Sequence, residues 1–271
     1  MEYRRLGRTQ EKISTIGMGT WRIGKYSTLG ERESQVNAIR RGIELGINLI
    51  DTAEMYSGGK SEEVVGEAIR EAREKAFVAT KVSPENLRHD AVIKSCRGSL
   101  KRLNTSHIDL YQIHWPNPDV PIIETMKAME ELVRSGMVNY VGVSNFSVEQ
   151  TRDAAESLST CELASNQVEY SFANRSVEAD ILPYCEREKL TLIAYSPLAR
   201  GRVPGTLHGE VQRRYGLTPA QVALNWVTRS PSVVAIPKAV DAHHLEENAA
   251  SVTSRFSEDE YAAISGIRLP L

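Results

Sequence analysis

The chain has 271 residues, 41% of them hydrophobic, which is enough to bury a large core. Its formal net charge of -2, with acidic and basic residues interleaved, does not suggest nucleic acid or an acidic membrane surface as a partner. Three well-separated cysteines, no histidines in a zinc spacing, no apolar run of membrane length and a charged start, MEYRRLGRTQ, argue against a disulfide framework, a metal centre, a membrane span and a signal peptide.

The first predicted element is a short hairpin, residues 3–6 and 12–16, around a polar turn. Eight apolar, β-branched runs then follow in order: 15–19, 47–51, 76–81, 108–114, 138–144, 163–168, 190–195 and 233–236. Helical segments separate them. Ile122, Ile123, Met126, Met129, Leu132 and Val133 share one helical face. Ser147 with Gln150, Thr218 with Gln221 and Ser257 with Glu260 have the spacing of capping boxes. Pro219 suits a first helical turn, and Gly46 and Gly136 suit helix ends. The charged run 70–75 reads as exposed helix face, and 257–268 as a final helix.

Eight strands, each followed by a helix, predict an α/β fold: a (β/α)8 TIM barrel with an N-terminal hairpin and a C-terminal helix, one domain over residues 1–271. The strands are near-continuous apolar runs, as burial on both faces requires. An open doubly wound sheet would alternate in the same way. Its glycine fingerprint is missing, because Arg22 stands where the third glycine after Gly17 and Gly19 belongs.

In such a barrel the chemistry gathers at the C-terminal strand ends. Those ends carry Thr20 and Trp21, then Asp51, Lys81, His114, Ser144 with Asn145, Gln167, Tyr195 and Lys238. Any one of these could be a turn cap, an ion-pair partner or a core histidine. A ring of them on one rim is harder to attribute to stability alone.

The sequence resembles the aldo-keto reductase superfamily along essentially its whole length. The motifs are DTAEMYSGGKSE from Asp51, ATKV around Lys81, RLNTSHIDLYQIHWP ending beyond His114, GVSNF, NQVEY, AYSPL and IPK. The resemblance implies reversible reduction of aldehydes or ketones by NAD(P)H, bound without a Rossmann domain. Tyr56 is then the proton donor, Lys81 its tuner, Asp51 the support of Lys81 and His114 the donor that orients the carbonyl. A phenol has a pKa of roughly 10 and needs such help.

The resemblance also assigns Ser144, Asn145 and Gln167 to the nicotinamide carboxamide and Tyr195 to ring stacking. Gly19, Thr20, Trp21 and Asp51, with Ser196, Pro197, Leu198 and Ile236, fill out the cofactor cradle. Lys238, His244, Glu247 and Asn248 would surround a 2'-phosphate. Family members selective for NADP often carry serine and arginine where this chain has Ala239 and His244. NADP(H) is favoured, with NAD(H) left open. Trp21, Met55 and Trp115, beside Tyr56 and His114, are the expected walls of an apolar pocket for a small carbonyl substrate. The loop after His114 and the segment after the last helix are both short, which favours an open pocket. A catalytically slow cofactor-binding subunit is the alternative function, and an unrelated barrel lyase or isomerase a weaker one. Cytoplasmic localisation is expected, and neither the physiological substrate nor the oligomeric state is legible.

Overall fold

The computed structural model describes residues 1–203 and 209–267. A hairpin of β1 (Tyr3–Arg5) and β2 (Lys12–Ser14) precedes eight parallel strands: β3 (Met18–Gly19), β4 (Leu49–Asp51), β5 (Phe77–Val82), β6 (Ile108–Ile113), β7 (Val138–Ser144), β8 (Leu163–Glu169), β9 (Thr191–Tyr195) and β10 (Val233–Ile236). They pair strictly in chain order. A parallel bridge between Ile16 and Ala235 closes the ring, with Gly17 N–H donating to the Ala235 carbonyl at 2.8 Å and Gly19 N–H to the Pro237 carbonyl at 3.1 Å. Gly19 is needed there, since a Cβ would sit 2.7 Å from the Ile236 carbonyl oxygen.

The helices are α1 (Leu29–Glu44), α2 (Lys60–Ile69), α3 (His89–Leu103), α4 (Ile122–Arg134), α5 (Val148–Glu156), α6 (Ile181–Glu188), α7 (Gly209–Tyr215), α8 (Pro219–Val227), α9 (Ala242–Ala250) and α10 (Glu258–Ser265). All three expected capping boxes form, Pro219 opens α8, and a fourth box joins Thr28 and Glu31 at the start of α1. Gly46 and Gly136 follow α1 and α4 with φ of 85° and 74°, a left-handed stop that a glycine adopts without strain.

Side chains alternate across each strand, so Leu49 and Asp51 share one face of β4, and Phe77, Ala79 and Lys81 share one face of β5. The lower members of these columns pack together with Leu110, Ile193 and Val234, and Leu6 and Ile13 of the hairpin segment join the same cluster. The hairpin therefore plugs the N-terminal mouth, and the polar upper members face the other mouth. A larger apolar layer, including Ile39, Val65, Met126, Leu132 and Trp226, fills the space between strands and helices.

Three expectations need correction. Residues 70–75 are not a helix face: α2 ends at Ile69, a short 3-10 turn spans Arg73–Lys75, and Arg73 donates to Asp109 Oδ2 at 2.6 Å. Local charge density concealed a tertiary ion pair. Ile123 is exposed although Met126, Met129 and Leu132 of the expected face are buried, because an all-apolar pair at 122–123 is wider than the face that packs. The first barrel strand is only Met18–Gly19, since residues 15–17 close the barrel by isolated bonds. Arg268, the expected end of the last helix, lies outside the described residues. Cys96, Cys161 and Cys185 are free thiols. Burial pushes Cys96 and Cys185 to about 12 and Cys161 to about 11, which favours the protonated thiol near neutral pH. Among the described residues, no helix is long and apolar enough to cross a membrane.

Candidate active site

Asp51 and Lys81 stand at the tops of neighbouring strands and point into the same mouth. Lys81 Nζ donates to Asp51 Oδ1 at 2.6 Å and to the Thr52 carbonyl at 2.9 Å, and both side chains are almost wholly buried. A buried ion pair is costly unless its remaining valences are met. Here Gln167 Nε2 donates to Asp51 Oδ2 at 2.7 Å. Burial works to lower the Lys81 ammonium, but Asp51 and then Tyr56 outweigh it, and the group titrates above the ordinary lysine range.

Tyr56 lies beyond β4 on a 3-10 turn, Tyr56–Gly59. Its ring meets two neighbours: Lys81 Nζ at 5.1 Å from the ring centroid, and the His114 ring edge-on at 5.6 Å. Burial pushes the Tyr56 phenol up, Lys81 pulls it down and Asp51 pushes it up again, leaving it above its ordinary value. The lysine acts in the expected direction but is outweighed.

His114 follows β6 and is only 3% exposed. Burial, and then the Lys81 charge, depress its pKa to about 2, so the ring is neutral at any working pH. Its Nδ1 has no hydrogen-bond partner among the described residues. Trp115 stacks on it at 4.2 Å.

The amide cluster is continuous with this group. Ser144 Oγ donates to the Gln167 carbonyl at 2.8 Å, following the pairing of Ser144 with Gln167 in the sheet. Asn145 takes a left-handed backbone, φ 62°, and donates to the His114 carbonyl at 3.0 Å and to Ser144 Oγ at 3.1 Å. Tyr195 Oη donates to Asn145 Oδ1 at 3.0 Å, and its ring is half-buried at the end of β9. The structure thus brings Asp51, Tyr56, Lys81, His114, Ser144, Asn145, Gln167 and Tyr195 into one connected group.

Other expected residues stand differently. Thr20 is fully buried towards α2, its hydroxyl shared between the Asp51 carbonyl and Ser61. Trp21, Met55 and Trp115 are 49%, 45% and 41% exposed. Ser196 and Leu198 are half-buried and Pro197 is buried, in a turn where Ser196 has φ of 50°. Ile236 belongs to the barrel interior. Lys238 and His244 are exposed, Asn248 is buried, and Glu247 accepts a hydrogen bond from Thr218. None of these four touches the Asp51 group through a hydrogen bond. Sequence reasoning missed the Gln167–Asp51 bond, which joins residues 116 positions apart.

The model of the aldo/keto reductase family matches residues 15–268. The methylglyoxal reductase YeaE of Escherichia coli is 38% identical over 93% of this chain and 90% of its own length. A thermostable aldo-keto reductase, crystallised with the inhibitor epalrestat, superposes with a TM-score of 0.93 at 40% identity, covering 98% of this chain and 99% of that one. An aldo/keto reductase of Klebsiella pneumoniae, crystallised with NADP and acetate, has a TM-score of 0.87 at 39% identity over 97% of this chain and 93% of its own.

Proposed function

We propose, from the premise that the chain belongs to the aldo/keto reductase family of NAD(P)H-dependent oxidoreductases, that it reduces small aldehydes or ketones to alcohols with NADPH, and that Tyr56 donates the proton. The observation that carries this reading is the buried contact of Lys81 with both Asp51 and the Tyr56 ring.

The residues fit a nicotinamide. Ser144, Asn145 and Gln167 present a hydroxyl and two amides, and each amide oxygen has lone pairs to spare for a carboxamide N–H. Tyr195 offers a half-exposed aromatic face beside them. When bound, the reduced nicotinamide supplies the hydride that reduces the carbonyl carbon. Negative charge then grows on the carbonyl oxygen, and an acid must meet it there.

Tyr56 Oη is that acid. Burial keeps the phenol protonated in the resting site, and Lys81 stabilises the phenolate left after transfer. Asp51 holds the ammonium in place and keeps it charged. A buried N–H without an acceptor is rarer than a buried acceptor without a donor, so the partnerless Nδ1 of His114 favours a proton on Nε2. That N–H orients the substrate oxygen and shares its developing charge. Trp21, Met55 and Trp115 supply the apolar wall, which suits a compact carbonyl compound and explains their exposure.

The test is oxidation of NADPH and of NADH by the purified protein with a panel of aldehydes and ketones that includes methylglyoxal. Turnover with at least one carbonyl and a higher kcat/KM for NADPH is expected. Tight NADPH binding with no turnover would instead make the chain a cofactor-loaded binding subunit. Turnover favouring NADH would overturn the cofactor assignment.

A further inference from the structure

Two motif residues have no part in the chemistry above: Glu62, in DTAEMYSGGKSE, and Arg102, in RLNTSHIDLYQIHWP. They lie 40 positions apart, yet Arg102 Nε donates to Glu62 Oε2 at 2.6 Å. Glu62 is fully buried. Its other oxygen accepts from Thr80 Oγ1 at 2.6 Å, one residue before Lys81 on β5.

The same guanidinium lies under the turn that carries Tyr56. Three successive residues there are left-handed: Ser57 at φ 53°, Gly58 at 64° and Gly59 at 88°. Ser57 is not a glycine, so that backbone needs external support. Ser57 Oγ supplies one support by donating to the Ile23 carbonyl at 2.7 Å. Arg102 packs directly against the same turn, close enough that a Cβ on Gly59 would stand 2.6 Å from Arg102 Cδ. On the near side of the turn, Glu54 accepts from Ser83 N–H at 2.8 Å and from Asn86 Nδ2 at 3.1 Å, and Arg102 Nη2 is 4.0 Å from its second oxygen.

The segment bearing Tyr56 is therefore tied at one end to β5 and at the other to the residue just past it. Glu54 binds two residues after Lys81 and Glu62 one residue before it, with one guanidinium between the two carboxylates. We propose that Arg102, through Glu62, is a positioning residue that fixes the Tyr56 turn against β5 and so sets the separation of the Tyr56 hydroxyl from the Lys81 ammonium. The inference rests on the reading of Tyr56 as proton donor. Arg102 touches neither reacting atoms nor cofactor. Its effect is expected on proton transfer and on the charge felt by the phenol, because the hydrogen bonds that hold the amide cluster on β7 and β8 run to Asp51, His114 and Tyr195 and to neither Arg102 nor Glu62.

The test uses Arg102→Lys, which keeps Glu62 partnered but loses the planar donor under Gly59. A second variant, Glu62→Gln with Arg102→Met, removes both charges, so that no unpaired carboxylate is left buried. Circular dichroism checks the fold of each. NADPH affinity is expected to be unchanged, and the single-turnover rate of carbonyl reduction to fall roughly 10- to 100-fold, the usual effect of misplacing a reacting group by about an ångström.

The readout independent of turnover is the tyrosinate absorbance titration of Tyr56 without cofactor, isolated by subtracting the Tyr56→Phe protein in each background. With the turn released from Lys81, the phenol is expected to titrate higher. A native single-turnover rate, or an unmoved Tyr56 titration, in both folded variants overturns the inference, whatever happens to melting temperature. An unmutated protein that turns over no carbonyl would instead remove the catalytic reading on which it rests.

Discussion

Gln167 donates to the oxygen of Asp51 that Lys81 leaves free, so one carboxylate joins the Lys81–Tyr56 group to the amide cluster. Removing that donor by Gln167→Leu would leave a buried carboxylate oxygen unsatisfied, at a cost of about 1–3 kcal/mol. Denaturant unfolding is expected to show that loss, and a nicotinamide held by the cluster is expected to bind more weakly. Stability falling without any change in NADPH affinity would confine Gln167 to the support of Asp51.

Tyr56→Phe removes the proposed acid and keeps the ring beside Lys81 and His114. Loss of a positioned acid is expected to lower kcat by roughly 10²- to 10⁴-fold, with NADPH binding retained. Fluorescence titration and steady-state kinetics on the same preparation check both halves. A near-native kcat would take the proton donor's role from Tyr56.

Lys81→Met separates charge from chemistry. It leaves Asp51 buried beside Gln167 with no cation, and breaking a buried pair in this way typically costs about 3–5 kcal/mol. Adding Asp51→Asn removes the stranded charge and is expected to recover much of that stability while activity stays lost. If the double variant regained turnover, Lys81 would not be tuning Tyr56.

His114 is expected to make folding sensitive to acid. Its pKa is about 2 in the folded protein, against an ordinary value of 6.5. Between those values the unfolded chain binds a proton that the folded chain refuses, so stability is full above about pH 6.5 and declines as pH falls. The slope from this one group is at most about 1.4 kcal/mol per pH unit. His114→Gln is expected to flatten the curve of unfolding free energy against pH in that window. An unchanged slope would mean that the imidazole is not buried in its neutral form.

The legible part of this molecule is what local pattern determines. Apolar runs located all eight strands, and β7 and β10 match them end to end. Capping boxes and Gly46 and Gly136 marked helix ends, because each acts within a turn of its own position. The rim residues were legible because they interrupt apolar strands at their ends. The rest depends on contacts across the chain. Arg73 looked like one of several surface charges until Asp109 was brought to it, and nothing in either motif pairs Glu62 with Arg102. The upward shift of Tyr56 was likewise hidden, since the residue types name its charged neighbours but not the burial that outweighs Lys81.

His244 is the position where the proposed preference for NADPH is open to test. It lies exposed on the first turn of α9, where Asp241 caps the helix by accepting from the His244 N–H at 3.2 Å. Lys238, also exposed, is the residue expected to meet a 2'-phosphate as a point charge. An arginine at 244 would add a charge independent of pH and a planar fork suited to phosphate oxygens. His244→Arg is therefore expected to raise the ratio of kcat/KM for NADPH over NADH by roughly tenfold, equivalent to about 1.4 kcal/mol. Because the added contact is exposed, the gain should shrink as ionic strength rises. A ratio that His244→Arg leaves unmoved at low salt would place the 2'-phosphate away from the start of α9.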